Sequence, residues 1–115
     1  MKALVIIPTY NEKENISQII DAVLEQDDSV EILVVDDNSP DGTARIVEDL
    51  LKNNPRIHIL KRKRKLGLGS AYVAGFKYAL QKKYDYIFEM DADFSHDPKV
   101  IPEMLKTIQK CDLVI

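Results

Sequence analysis

Short aliphatic runs alternate along this chain with stretches whose apolar residues recur every three or four positions. That alternation restricts the fold more than any other feature. Ala3 to Ile7 is continuously aliphatic and is stopped by Pro8. Such a run predicts a strand buried on both faces, as in a parallel sheet. Asn11 then offers an N-cap with Glu14 three residues on, the spacing of a capping box. Ile16, Ile19, Ile20, Val23 and Leu24 follow at helical spacing. Val30 to Val35 is the second aliphatic run. Ser39-Pro40 offers a cap with proline at the first helical position, before the stripe Thr43, Ile46, Val47, Leu50 and Leu51. Ile57 to Leu60 is a third strand. Gly67 and Gly69 open a helix whose inner face would be Ala71, Ala74, Gly75, Tyr78 and Ala79, small enough for close packing on a sheet. Tyr86 to Met90 is a fourth strand. Pro98 or Pro102 starts a last helix with Ile101, Met104, Leu105 and Ile108 inward, and Asp112 to Ile115 is a fifth strand.

Strand and helix thus alternate from end to end. The expected fold is α/β, a doubly wound and mostly parallel sheet with helices on both faces, breaking off after the fifth strand. The 115 residues form one domain. Hydrophobic residues at 45% and charged residues at 30% are those of an ordinary globular chain. Sixteen Lys and Arg against nineteen Asp and Glu give a net charge of −3, which argues against a general nucleic-acid binder. No apolar run approaches the ~20 residues of a membrane span. The single cysteine, Cys111, rules out an intramolecular disulfide and a multi-cysteine metal site, and fits a cytoplasmic protein.

In a doubly wound sheet, ligands sit at the carboxyl ends of the strands where the strand order reverses. A sheet order beginning 3-2-1-4 puts that crevice between strands one and four. The polar residues collect there. Strand one ends in Pro8-Thr9-Tyr10-Asn11-Glu12, strand two in Asp36-Asp37-Asn38-Ser39, and strand four in Asp91-Ala92-Asp93. Up to five carboxylates would converge on one edge. Two charges roughly 6 Å apart at an effective dielectric near 20 repel by about 3 kcal/mol, so such a group calls for a cation or hydrogen-bond donors. Hard carboxylate oxygens suit Mg2+ or Mn2+, and a metal in an open crevice commonly holds a substrate phosphate. Asp37 is placed to accept from a base or ribose, and Tyr10 to cover a base. The plain reading of each aspartate alone is a turn or cap residue.

Five segments together resemble glycosyltransferase family 2: Pro8-Thr9-Tyr10-Asn11-Glu12, the Val-Val-Asp-Asp run ending at Asp37, Ser39-Pro40-Asp41-Gly42-Thr43, Leu66-Gly67-Leu68-Gly69-Ser70-Ala71-Tyr72, and Met90-Asp91-Ala92-Asp93. Within that family, Asp91-Ala92-Asp93-Phe94-Ser95-His96 followed by Pro98 resembles the dolichyl-phosphate (polyprenyl-phosphate) mannosyltransferase branch. The resemblance covers nearly the whole chain in order. It implies a GT-A fold and inverting transfer of mannose from GDP-mannose to a dolichyl or polyprenyl phosphate. It implies nucleotide-sugar contacts at Pro8, Tyr10, Glu12, Val35, Asp37, Asp91 and Ala92. Catalytic roles would fall to Asp91 and Asp93, and metal ligation to Asp93, Asp91 and Ser95, where some relatives carry Gln. An acceptor that is already a phosphate anion needs no strong general base, so none is assigned. The family continues past the position of Ile115 with an acceptor loop and further basic residues. Residues 1–115 would therefore be the nucleotide-sugar-binding part, either a fragment of a longer enzyme or a short protein that binds without turnover. A sheet ending at its fifth strand would expose that strand's edge and invite a homodimer.

Lys61-Arg62-Lys63-Arg64-Lys65 has two readings. It is a solvated loop, or it meets an anionic membrane surface at about 1 kcal/mol per basic residue. The second reading would place the protein peripherally on the cytoplasmic face of a membrane. Gly67-Leu68-Gly69 is not the dinucleotide fingerprint, because its third glycine position is Tyr72. His96 reads as a polar turn residue beside Pro98, and Cys111 as a small buried one. Three other functions remain open at this point: transfer from another nucleotide sugar or to another acceptor, a non-catalytic nucleotide-binding module, and a phospho-acceptor receiver domain.

Overall fold

The computed structural model describes residues 2–64 and 66–92, apart from the side chain of Leu68. The elements are β1 (Ala3–Thr9), α1 (Ile16–Leu24), β2 (Val30–Asp36), α2 (Thr43–Leu51), β3 (Ile57–Lys61), α3 (Leu68–Gln81) and β4 (Tyr86–Glu89). All strand pairs are parallel, in the order β3-β2-β1-β4. This is the expected reversal, with β1 at the switch point between β2 and β4. The expected last helix, fifth strand and dimer edge, together with Cys111, lie outside the described residues.

Two apolar layers hold the sheet between helices. Ala3, Val5, Ile7, Val30, Ile32 and Val34 face α1 and α2 and pack with Ile16, Ile19, Ile20, Val23 and Val47. Leu4, Ile6, Leu33 and Val35 face the other way, toward Ala71 and Ala79 of α3. Strand residues on both sides are buried, which is why β1 and β2 read as unbroken aliphatic runs. The close packing expected of α3 is real at Gly75. A Cβ built there would lie 2.6 Å from Ile6 Cγ2 and 2.8 Å from Ile6 Cδ1. Helix propensity alone favours alanine over glycine by about 1 kcal/mol, whereas overpacking a core typically costs about 1–3 kcal/mol. Gly75→Ala is therefore expected to lower the urea midpoint. A rise would show that Ile6 yields freely.

Pro8 does not stop β1, contrary to the sequence expectation. The strand runs on to Thr9, paired with β2 through Pro8–Val35 and Thr9–Asp36. The pairing with β4 stops earlier, at Ile6–Glu89, followed by one bond from Met90 N–H to the Ile6 carbonyl at 3.0 Å. Alternate residues of a strand direct their backbone groups to the same neighbour, so the missing Pro8 N–H falls on the β4 side. There the ladder has already ended, and nothing is lost by having proline. The result is a step. Ile7, Pro8 and Thr9 extend past the β1–β4 ladder while still braced by β2.

Both expected helix caps shift. α1 begins at Ile16 after a turn in which the Glu12 carbonyl accepts from the Asn15 and Ile16 N–H groups. Asn11 is not its cap; it has φ +56° and its N–H bonds to Ser39. α2 begins at Thr43 behind Gly42, whose φ of +93° favours glycine. Ser39 does not cap it because that hydroxyl is committed to Asp36.

At the opposite end of the sheet, Glu31 Oε1 lies 2.7 Å from His58 Nε2 and accepts from the Tyr84 hydroxyl at 2.8 Å. Burial by itself raises the Glu31 pKa. The hydrogen bonds from His58 and Tyr84, with the charges of Lys2 and His58, outweigh it and hold the carboxyl below its ordinary 4.5. A carboxylate depressed on folding adds stability above its unfolded pKa and loses it as pH falls through the folded value. Glu31→Gln is therefore expected to be less stable than the parent at pH 7, with a shallower loss of stability below about pH 4.5 in an acid titration followed by circular dichroism.

Candidate active site

The two loops at the carboxyl edge of β1 and β2 are sewn together by side chains. Asn11 N–H donates to Ser39 Oγ at 2.9 Å, Glu12 N–H to Thr43 Oγ1 at 3.0 Å and Lys13 N–H to Asp41 Oδ2 at 3.2 Å. Asp37 N–H reaches the Thr9 carbonyl at 3.1 Å. Asp36, only 1% exposed, anchors this seam. Its Oδ1 accepts from the Thr9 hydroxyl at 2.7 Å and the Ser39 hydroxyl at 2.6 Å, and its Oδ2 from Ser39 N–H at 3.0 Å. Asp41 is tied down similarly, accepting from Thr43 N–H at 3.0 Å and the Thr43 hydroxyl at 2.5 Å. Slight burial pushes the Asp41 pKa up, but the Thr43 hydroxyl, the Lys13 and Thr43 amides and the Lys13 charge bring it below the usual aspartate value. The expected crowd of carboxylates is thus divided, with Asp36 serving the loops as the neighbouring Asp41 does. Among the described residues no three acidic, His or Cys side chains come together as a metal cage.

Asp37 is 5% exposed and has a partner that the sequence reading missed. Arg62, the residue after β3, grips it with both arms: Nε to Oδ1 at 2.5 Å and Nη2 to Oδ2 at 2.8 Å. Leu66 N–H adds a third donor to Oδ2 at 3.2 Å. A carboxylate has about four acceptor positions, so these bonds leave one on Oδ1 for a ligand. Arg62 also donates to Ser70 Oγ at 2.7 Å and to the Gly67 carbonyl at 3.3 Å, and its N–H donates to the Asp36 carbonyl at 2.8 Å. The signal that finds it is positional. β3 ends level with β2, so the residue following Lys61 must arrive beside Asp36 and Asp37. The five-residue basic run is therefore not one surface. Lys61 pairs with Glu48 at 3.3 Å, Arg62 turns inward, and Lys63 and Arg64 are exposed, while Lys65 lies outside the described residues.

On the far side of β1, Asp91 accepts from the Tyr72 hydroxyl at 2.8 Å. Ala92 and Met90 are each 3% exposed. Tyr10 is 38% exposed just past the end of β1, and Pro8 and Glu12 are partly exposed on the same edge. The Val35 side chain is fully buried beneath Asp36 and Asp37, in the layer facing α3. Asp93, Ser95 and His96 lie outside the described residues. The structure brings Pro8, Tyr10, Glu12, Asp37, Asp91 and Ala92 to the carboxyl ends of β1, β2 and β4.

A parallel sheet in this order, with its acidic residues at the reversal point, has the architecture of the GT-A glycosyltransferases. The chain belongs to glycosyl transferase family 2, whose model matches residues 4–115. It is 46% identical over 119 residues to an undecaprenyl-phosphate mannosyltransferase of Micrococcus luteus, covering 100% of this chain and 47% of that protein. It is 46% identical over 116 residues to a polyprenol monophosphomannose synthase of Mycolicibacterium smegmatis, covering 99% of this chain and 44% of that one. Among solved structures it resembles a mannosyltransferase from Pyrobaculum calidifontis in complex with GDP-Man and Mn2+. That likeness has a TM-score of 0.71 and 30% identity over 80% of this chain and 27% of the other. The chain spans about half the length of the curated relatives it matches. The family assignment removes the receiver-domain alternative.

Proposed function

We propose that this chain forms the donor-binding part of an enzyme that transfers mannose from GDP-mannose to a polyprenyl or dolichyl phosphate with inversion. The observation that carries the reading is the pair Asp37 and Asp91, set at the ends of β2 and β4 on either side of the β1 step. The 46% identity to two enzymes named for polyprenol-phosphate mannose transfer supports the substrate class. In this reading the open acceptor position of Asp37 takes a base N–H, and Tyr10 lies over the base. Glu12 and the Pro8 edge flank the nucleoside, Val35 forms the floor, and Ala92 is small enough to admit the sugar diphosphate.

Carboxylate and hydroxyl oxygens are a donor set that suits Mg2+ or Mn2+. Asp91 supplies one such oxygen at the end of β4, and we assign Asp93 and Ser95, which follow it in sequence, as the remaining ligands. Bound there, the ion would offset negative charge on the departing diphosphate. The chain's own residues supply position. Asp37 fixes the nucleoside, the β1 step receives the diphosphate, and the anionic acceptor attacks without a protein base. In this reading exposed Lys63 and Arg64 meet an anionic cytoplasmic membrane surface carrying that acceptor. No described helix is long and apolar enough to cross a membrane.

The test is thermal unfolding with GDP, GDP-mannose and UDP-sugars, each with and without Mn2+. A ligand at one hundred times its dissociation constant stabilises by about 2.7 kcal/mol, a rise of several degrees for a chain this size. A GDP-selective, metal-dependent rise that disappears in Asp93→Ala is expected. A rise with UDP-sugars alone would move the reading to another donor, and no rise with any nucleotide would overturn it.

A further inference from the structure

Asp37 and Asp91 stand on opposite sides of β1, yet both are tied to the start of α3, Asp91 directly through Tyr72 and Asp37 through Arg62. The α3 crossover starts beside the end of β3 and passes over the sheet to reach β4. Its first turn contains Ser70, and Tyr72 lies just beyond. Arg62 holds the Asp37 carboxylate with two donors while a third, Nη1, reaches Ser70 Oγ at 2.7 Å and Nη2 reaches the Gly67 carbonyl at 3.3 Å. Two residues past Ser70, the Tyr72 hydroxyl donates to Asp91 Oδ1 at 2.8 Å. Two hydrogen-bonded groups, Asp37–Arg62–Ser70 and Tyr72–Asp91, are therefore joined through two residues of the α3 backbone.

We infer that Arg62 and Tyr72 are positioning residues, and that the start of α3 is a brace setting the orientation of the nucleoside-side carboxylate and the diphosphate-side carboxylate relative to each other. This rests on the donor-site reading above. Arg62 suits the task because its planar fork fixes a carboxylate's rotation, which a lysine point charge does not. Fixing Asp37 aims its remaining acceptor position in one direction at the strand ends. An aimed acceptor distinguishes bases by where they carry an N–H. Tyr72 restrains Asp91 in the way that outer hydrogen bonds orient metal-ligating carboxylates, whose removal commonly weakens metal affinity by 10- to 100-fold in general.

The brace predicts two separable defects. Arg62→Lys keeps the positive charge and loses the fork. Its preference for GDP over UDP, measured by calorimetry, should fall by about tenfold, with the Mn2+-dependent gain in GDP affinity preserved. Tyr72→Phe keeps the ring and loses the hydroxyl. Its Mn2+-dependent gain should fall by about tenfold, with the preference between bases preserved. Ser70→Ala removes one arm of the brace at an exposed position and should follow Arg62→Lys in direction with a smaller change. Equal weakening of every nucleotide in both variants would mean that the two residues serve only stability, and would overturn the brace, as would unchanged binding in both. A parent chain that binds no GDP at all would overturn the donor-site reading together with the brace, whereas a parent that binds beside unselective variants overturns the brace alone.

Discussion

Asp36→Ala is expected to lose about 3 kcal/mol of folding stability, since it removes hydrogen bonds to a buried charge worth about 1.5–3 kcal/mol each and not fully additive. The effect reaches further than the strand end. The Ser39 hydroxyl that donates to Asp36 also accepts from Asn11 N–H, so loss of the carboxylate frees the loop after β1 as well as the loop after β2. Thr9→Val probes one part of the seam, because it removes a single 2.7 Å bond and leaves the Ser39 bonds in place. Denaturant midpoints should fall in the order parent, Thr9→Val, Asp36→Ala. An Asp36→Ala midpoint equal to the parent's would show that the seam contributes nothing to stability.

Arg62→Met is the second large effect. The Asp37 and Arg62 side chains are only 7% and 10% exposed. Removing one member of such a pair leaves an uncompensated buried charge and costs about 3–5 kcal/mol, while replacing both with apolar residues is often close to neutral. The double variant Arg62→Met with Asp37→Leu should therefore recover most of the midpoint lost by Arg62→Met alone. It should recover no nucleotide binding. Stability and binding would then separate in one pair of proteins. If the double variant is as unstable as the single one, the apolar pair does not pack and the ion pair contributes shape as well as charge.

Much of the scaffold could be read from residue pattern. The unbroken runs at Ala3–Ile7 and Val30–Val35 read as strands covered on both sides, and alternation with amphipathic stretches pointed to parallel pairing, while the order 3-2-1-4 entered as a condition that the structure meets. The places where the pattern misled are those where long-range hydrogen bonds outcompete local ones. Asn11 and Ser39 have the chemistry of helix caps, but each finds its partner across the seam, 28 residues away for the Asn11–Ser39 bond. Pro8 looked like a terminator because nothing local says which neighbour its absent N–H would face. The carboxyl-edge positions of Asp37 and Asp91 followed from strand order. Arg62 was hidden in a run of like charges, where composition reads as surface. Only the register of β3 against β2 separates it from Lys61 and Lys63.

The step at Pro8 has a consequence for how this fold can change. Three residues, at a rise of ~3.3 Å each, carry β1 about 10 Å past its last rung with β4. That overhang comes from the unequal lengths of two neighbouring ladders, and Pro8 falls where a ring that cannot donate a proton costs no bond. The loops around it contribute chemistry but not dimensions. Substitutions at Tyr10 or Glu12 can alter what this edge recognises while the overhang stays constant, since surface loops accept change more readily than ladders do. The overhang of one ladder past the other is thus a fixed measure around which the ligand repertoire can drift.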